Sequence, residues 1–269
     1  MGLCRYVVMP RALRTLTPLR RAAAPLEARR CSALCPALLP ALLALTLVSG
    51  SAAGAAETAV VQEILDGKEF YIDQKQARVK EKAQAPQQIS TQNSRGQIRF
   101  EAGAVGRLNR FSMLRLGQGC FLLDRGQVLV SGRQSGCTRS ARLSVRGTNY
   151  LLEVQENGDS ELSVLEGSVQ VEPLRDGQPT GAAVATVNAG QRLRLSPEGV
   201  VLTLLALSSG DYSSILSGPL FEGFRLPLPA AQALDSYLRS QLPGVTLPSV
   251  PVTVPVTVPA LPISLPRLF

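Results

Sequence analysis

Apolar and polar residues alternate in short runs over most of the chain from residue 57 to residue 207. In the clearest run, Tyr150, Leu152 and Val154 occupy every second position, and the pair Asn157-Gly158 follows. A period of two places such side chains on one face of a β-strand, and Asn-Gly is a strong signal for a tight hairpin. The pattern therefore predicts short strands joined by glycine turns.

The same pattern continues beyond this hairpin. Apolar positions resume at Leu162, break at Glu166-Gly167 and return at Val169. We expect three adjacent strands over residues 150–172 and further strands up to residue 207. Regular short strands predict an all-β fold, either a β-sandwich or a flattened β-solenoid of short antiparallel strands. No amphipathic helix separates the strands, as a parallel βαβ arrangement would require.

The pattern changes after residue 207. Residues 208–242 predict a packing loop that contains a short helical turn, followed by one helix from Pro229 to Leu242, whose apolar residues recur at helical spacing. Residues 243–269 repeat Val-Thr-Val-Pro, and proline at this density favours an extended, polyproline-like chain. The predicted organisation is thus a β domain over residues 56–207, a packing loop and helix, and an extended Pro/Val/Thr-rich tail.

Residues 1–55 predict a signal peptide. They carry seven Arg and one Glu, and residues 33–48 form an apolar stretch too short to span a bilayer comfortably. Ala53-Gly54-Ala55 fits the small-residue pattern that signal peptidase cleaves, so we place cleavage after Ala55. An uncleaved signal anchor is the alternative, and Met9 is a second candidate start. The expected location is periplasmic or secreted, with a membrane attachment only if the segment is uncleaved.

Removal of this segment changes the interpretation of the charge. The net charge of the full chain is +8, and seven Arg against one Glu give residues 1–55 a share of +6. The exported part is therefore close to neutral. Its arginines are spread along the predicted strands, and the chain has no Trp, five Tyr and seven Phe. We expect no nucleic-acid partner, because such partners require a concentrated basic surface.

The cysteine content agrees with export. Three of the five Cys lie in residues 1–55, which leaves Cys120 and Cys137 as a pair. An even number of cysteines in an oxidising compartment predicts one disulfide. A metal site built on these two residues would lack the usual further ligands, because the chain contains no His. We expect no metal and no cofactor.

Four blocks of sequence resemble the FecR domain family in order and spacing. They are SRGQIRFEAGAVGRLNRFSMLRL (residues 94–116), VRGTNYLLEV (145–154), SVLEGSVQVEP (163–173) and VNAGQRLRL (187–195). The resemblance covers about residues 60–207. Its most specific residues are Val145, Arg146, Gly147 and Thr148, then Glu166 and Gly167, and then Gly190.

The resemblance implies a sensing or scaffolding domain of the cell envelope. Founding members of the family resemble transmembrane relays, in which a cytoplasmic N-terminal segment controls a sigma factor. Residues 1–55 are too short, too rich in Arg and too interrupted by Pro for that cytoplasmic segment, so we expect the envelope domain alone. Without the resemblance, Gly147, Gly167 and Gly190 would be interpreted as residues of turns or bulges. Arg146 would be expected in an ion pair or in a stacked position at the surface.

No catalytic site is predicted. The chain has no Walker loop or nucleophile elbow, and without His the usual Ser and Cys triads are excluded. Glu153 and Glu161 could form a carboxylate pair of the glycosidase type, but we expect both to face solvent across the Asn157-Gly158 hairpin. The predicted function is a non-enzymatic envelope protein that binds a protein or a surface polymer. The alternative is a signalling regulator of the iron-uptake type with an uncleaved anchor.

Overall fold

A computed structural model describes residues 56–248, so the predicted signal peptide and residues 249–269 of the predicted tail lie outside the described part. The first nine strands are β1 (Thr58–Leu65), β2 (Phe70–Ile72), β3 (Lys75–Gln76), β4 (Lys82–Gln84), β5 (Gln88–Thr91), β6 (Arg95–Phe100), β7 (Val105–Leu108), β8 (Met113–Arg115) and β9 (Phe121–Gly132). The other elements are β10 (Gly136–Cys137), β11 (Ala141–Val145), β12 (Thr148–Val154), β13 (Ser160–Glu166), β14 (Ser168–Arg175), β15 (Gln178–Pro179), β16 (Ala185–Asn188), β17 (Gln191–Leu195), β18 (Val201–Ala206), α1 (Ser209–Leu216) and α2 (Ala231–Gln241).

These strands form two facing sheets that share β9. One sheet, which we call the covered sheet, is antiparallel and has the order β4, β1, β6, β7, β9, β12, β13, β17, β18. The other, the open sheet, has the order β3, β2, β5, β8, β9, β10, β11, β14, β16, with β15 paired to β14. The predicted all-β fold is confirmed.

Strand β9 belongs to both sheets because it bends at Gly126. Its first half pairs with β8, and its second half pairs with β7 and β12. Gly126 has a φ of +85°, and a Cβ at this position would lie 2.5 Å from the Cα of Ser112. Glycine is therefore required where the strand leaves one sheet and enters the other.

Two hydrophobic cores stabilise the domain. The main core lies between the sheets and contains fully buried residues such as Phe70, Phe121 and Tyr150. The second core lies on the outer face of the covered sheet, where Leu151 meets Tyr212 and other residues of the C-terminal segment. Each fully buried side chain of this size stabilises the fold by roughly 1.5–3 kcal/mol.

The prediction of three adjacent strands over residues 150–172 is wrong for the third strand. The hairpin at Asn157-Gly158 joins β12 to β13 as expected, but β14 pairs with β11 and β16 in the open sheet. Gly167, with a φ of +84°, carries the chain from one sheet to the other. A hairpin and a crossover both need a glycine turn, and an alternating pattern does not distinguish them.

The C-terminal segment contains two helices, where one helix and a short helical turn in the packing loop were predicted. Helix α2 lies within the predicted range, and α1 lies in the predicted packing loop. The start of α1 is a capping box: Ser208 Oγ accepts from the Asp211 N–H at 3.1 Å, and the Asp211 carboxylate accepts from the Ser208 N–H at 2.8 Å. Between residues 56 and 248, neither helix has the length and apolar character needed to cross a bilayer.

Candidate functional site

The predicted motif glycines lie at one end of the sandwich, where the chain crosses between sheets. Gly147 joins β11 to β12, Gly167 joins β13 to β14, and Gly190 joins β16 to β17, all with positive φ. The crossovers pack together: a Cβ on Gly167 would lie 2.5 Å from Thr148 Cγ2 and 3.2 Å from the Gly147 carbonyl oxygen. The spacing of the motif is therefore the spacing of successive crossovers.

The other motif residues surround a polar contact with the C-terminal segment. Val145 is half-buried at the end of β11, Arg146 is exposed on the turn, and Thr148 is buried at the start of β12. The Asn149 amide donates to Glu166 Oε2 and to the Ala230 carbonyl oxygen, both at 3.0 Å. Burial raises the pKa of Glu166 above its ordinary value. This end of the domain holds the start of α2.

Each carboxylate of the candidate pair contacts a side chain of a neighbouring strand. Glu153 and Glu161 lie directly opposite each other on β12 and β13, and both are half-buried on the covered sheet rather than solvent-facing. Gln127 Nε2 donates to Glu153 at 3.2 Å, and Arg192 Nε lies 3.0 Å from Glu161 Oε1. Both carboxylates are thus engaged by neighbouring strands. Residues 56–248 contain no cluster of three or more candidate metal ligands.

The disulfide between Cys120 and Cys137 is present, with a Cα–Cα distance of 5.8 Å. It lies beside the first described residues, because the Glu57 N–H donates to the Gly117 carbonyl oxygen at 3.0 Å. The Glu57 carboxyl accepts from Gln134 Nε2 at 2.7 Å, and burial raises its pKa to about 7. The chain therefore enters the β domain next to the disulfide.

An open polar cleft of about 460 Å³ lies at the opposite end of the sandwich, beside the Asn157-Gly158 hairpin. It is lined by charges of both signs, including Asp124, Arg125 and Arg139. Asp124 is paired with Arg139 at 3.4 Å. Because charges of both signs line the cleft, it offers no concentrated charge of one sign to a ligand.

Strand β18 is a candidate binding feature that was not predicted from the sequence. It is the last strand of the covered sheet and, among the described residues, pairs only with β17. All six of its residues are exposed and none is charged, with Leu204 at 46% and Leu205 at 58% exposure. Edge strands usually carry charges, proline or bulges that prevent pairing with another chain. Strand β18 has no charge and no proline, and its one register irregularity lies near Val201, before a regular stretch from Thr203 to Ala206. We call residues 201–206 the β18 edge.

The side chains of the β18 edge follow from its register with β17. Leu204 lies opposite Leu193, which is buried in the main core, so Leu204 points to the core side of the sheet. Leu205 lies opposite Arg192 and points to the outer side. The open sheet ends at β16, which contacts β17. The core side of β18 therefore extends beyond the facing sheet.

Its backbone is available on the side away from β17. The Leu207 N–H donates to the Gly190 carbonyl oxygen at 2.7 Å. Since hydrogen-bonding direction alternates along a strand, Leu204 and Ala206 direct their N–H and C=O groups outward. The sequence contains a signal for this edge. The run Val-Val-Leu-Thr-Leu-Leu-Ala-Leu over residues 200–207 has apolar residues at both odd and even positions and lacks a charge.

Residues 87–170 match the family described as FecR protein. The predicted resemblance is confirmed for this range, which contains all of the first and second predicted blocks and most of the third. The crossover glycines Gly147 and Gly167 lie inside it, whereas Gly190 and the β18 edge lie beyond it. No curated protein matches the chain.

Two crystal structures of a proposed anti-sigma factor from Parabacteroides distasonis are similar to the chain. Their sequence identities are 17% and 16%, and their TM-scores are 0.36 and 0.37. In each case the match covers 45% of this chain and 60% of the other. The chain thus spans less than two thirds of the length of these structures, and likeness at this level supports no argument about fold or activity.

Proposed function

We propose, taking the FecR region at residues 87–170 as the premise, that this chain is an exported, non-enzymatic binding module of the cell envelope that recognises a protein through the β18 edge. The observation that carries the proposal is strand β18, which is uncharged and exposed and whose edge away from β17 has no partner strand among residues 56–248. An extended polypeptide can add to such an edge, with backbone hydrogen bonds supplying affinity and alternate side chains supplying specificity.

A protein partner fits this edge better than a surface polymer. Leu204 and Ala206 present backbone donors and acceptors at the spacing of a strand, which a polypeptide matches and a glycan does not. The exposed side chains of β18 are aliphatic apart from Thr203. The polar cleft beside the Asn157-Gly158 hairpin would suit a polymer better, but its carboxylate Asp124 is already paired with arginine.

Export is supported by the predicted leader and by the disulfide, which persists in oxidising compartments. Mass spectrometry of the protein from producing cells tests it directly. An N-terminus near Ala56 is the expected result. Recovery of the chain with residues 1–55 intact and membrane-bound would overturn cleavage and favour the anchored regulator instead.

Site-specific photocrosslinking tests the binding surface. A photoreactive amino acid at Leu204 should give a covalent protein adduct in producing cells, because this side chain borders the partner strand. The same amino acid at Val79, an apolar residue of matched exposure (49% against 46%), is the control. Mass spectrometry identifies the adduct. If Leu204 yields no more polypeptide adduct than Val79, the β18 edge is not the binding surface.

A further inference from the structure

We infer that the β18 edge is occupied by the Val-Thr-Val-Pro tail of a second copy of this chain, added as the next antiparallel strand of the covered sheet. The inference rests on the proposed function, because it names the partner of the same edge. Three observations support it: the spacing of the tail prolines, the face on which the tail valines fall, and the point where the described chain ends.

The prolines within the Val-Thr-Val-Pro repeat, residues 250–259, all fall at odd-numbered positions. Pro251, Pro255 and Pro259 are separated by steps of four residues. Along a strand, every second residue directs its backbone groups to the same edge. If residues 250–259 pair as a strand, all three prolines can face solvent, where no N–H is needed, and the even-numbered residues face β18. Proline is tolerated in strands at such outward edge positions.

The same parity places the valines on the apolar side of β18. The even-numbered positions of the repeat are all valine, from Val250 to Val258, and two successive valines among them would hydrogen-bond with Leu204 and Ala206, whose backbone groups point outward. Directly paired residues of an antiparallel ladder share a face, so these valines join the face of Leu204, on the core side. Proline and Thr fall on the outer face. The backbone requirement and the side-chain requirement are therefore met by one register.

The position of Pro248 favours a second copy over the same copy. Pro248 and Arg107 of β7 line one cavity of about 310 Å³. From β7 to β18 the covered sheet advances five strands, or about 24 Å at ~4.8 Å per strand. About seven extended residues would be needed to cover this distance, which would consume most of the repeat. A tail from another copy keeps all of residues 250–259 available.

Such an exchange joins one donor tail to one acceptor edge, which is a head-to-tail contact. Contacts of this type give open chains unless the rotation between copies closes a ring. The outward row of prolines would then end the extended sheet, because it offers few donors to a further strand. The exported chain would act as a self-assembling scaffold of the envelope.

Proline substitutions at neighbouring positions of the tail test the register. In the full exported chain, Val254→Pro removes an N–H that would face β18, whereas Thr253→Pro adds a proline at an outward position. Sedimentation velocity should show self-association of the wild type, retained in Thr253→Pro and at least about tenfold weaker in Val254→Pro. Equal behaviour of the two variants would overturn strand pairing and indicate a general apolar contact.

A mixing experiment tests the exchange between copies. Leu204→Lys places a charge on the core side of the acceptor edge, whereas Leu205→Lys places one on the outer side as a matched control. Leu204→Lys and Val254→Pro should each be monomeric alone and form a one-to-one complex when mixed, because the first retains a tail and the second retains an edge. Circular dichroism checks that both remain folded.

The other outcomes are distinct. A wild type that is monomeric at all concentrations would sink the exchange between copies. Self-association that survives Val254→Pro but not Leu204→Lys would mean that two β18 edges pair directly. An adduct at Leu204 with an unrelated protein, with no effect of the tail variants, would overturn this inference and leave the proposed function standing.

Discussion

Buried polar side chains in this protein join segments that are far apart in the chain. The Tyr150 hydroxyl donates to the Gln134 carbonyl oxygen at 2.8 Å, and the Asn149 amide reaches the Ala230 carbonyl oxygen at 3.0 Å. A buried donor without a partner costs about 1–3 kcal/mol, so each contact specifies one arrangement of the segments it joins. The structural role of a buried Tyr or Asn therefore depends on which carbonyl group it contacts and not on its residue type alone.

Glu57 should make the stability of the fold depend on pH. Its pKa is about 7 in the folded protein against an ordinary value of 4.5, with burial as the main cause. Between these values the folded state holds a proton that the unfolded state releases, so stability falls as the pH rises through this window and is level above it. The expected loss is roughly 1–2 kcal/mol, since solvent reaches part of the carboxyl.

Urea unfolding at pH 5 and at pH 8 measures this dependence. Glu57→Gln should remove most of the difference between the two pH values, because glutamine does not ionise. The exposed Glu156→Gln is the control and should leave the difference as in the wild type. Equal pH dependence in Glu57→Gln and the wild type would contradict the assignment.

Gly167 is expected to be the most restrictive of the crossover glycines. An Ala at this position meets both a positive φ and a contact of 2.5 Å with Thr148 Cγ2. Gly177 also has a positive φ, but a Cβ there meets no atom within 4 Å. In urea unfolding, Gly177→Ala should cost about 1–2 kcal/mol and Gly167→Ala roughly 1–3 kcal/mol more. Equal costs would show that the contact relaxes freely.

At the level of elements, two arginines hold the loop between the helices against the covered sheet: Arg95 on β6, which donates to the Glu222 carbonyl oxygen at 2.9 Å, and Arg107. Arg107 on β7 is buried and donates to Gln97 Oε1 at 2.8 Å, to the Leu220 carbonyl oxygen at 3.1 Å and to the Leu226 carbonyl oxygen at 2.7 Å. Its guanidinium also lies 4.3 Å from the centre of the Phe224 ring. Burial lowers the pKa of Arg107 to about 10, so it stays charged at neutral pH.

Arg107→Met should release this loop while leaving the sandwich folded. The change removes the donors of two loop carbonyl groups, with an expected loss of about 2–4 kcal/mol in the free energy of unfolding. Hydrogen exchange should accelerate in residues 219–228 and remain slow in β9 and β12. The exposed Arg99→Met on neighbouring β6 is the control. Equal acceleration in both variants would contradict the role of Arg107.

The strands could be predicted from the sequence more reliably than their partners. Tyr150, Leu152 and Val154 point to the main core as their alternation indicated, but Leu151 between them is also buried. It is covered by the C-terminal segment, and a local pattern contains no information about a segment that folds over it later in the chain. The same limit applies to β14, whose sheet depends on a crossover and not on its own residues.

For the whole molecule, the disulfide should contribute measurably to stability. It joins residues separated by 17 positions and connects the start of β9 to β10. A closed loop of this length stabilises a fold by roughly 3 kcal/mol in the chain-entropy model. Thermal unfolding of the Cys120→Ser, Cys137→Ser double variant should show a correspondingly lower Tm. Reductant should lower the Tm of the wild type to that of the variant and leave the variant unchanged.

The candidate site was harder to predict than the fold because it is defined by what is missing. The motif around Gly147 and Gly167 has a distinctive sequence, and the structure places it in the framework of the domain. The β18 edge has an ordinary apolar sequence. It is a candidate binding surface because, in the described domain, no strand faces it and no further strand pairs with it. Which strand lies at the edge follows from the three-dimensional order of strands.

In both sheets the strands succeed one another almost in chain order, from β4 or β3 at one side to β18 or β16 at the other. Each new strand therefore pairs mainly with strands that precede it in the chain, and the C-terminal segment then covers the outer face of the covered sheet. A polypeptide threaded through a membrane from its N-terminus could fold in the order in which it emerges. Related proteins could also gain or lose whole hairpins at the C-terminal edge of the sheets without any change in the earlier strand connections.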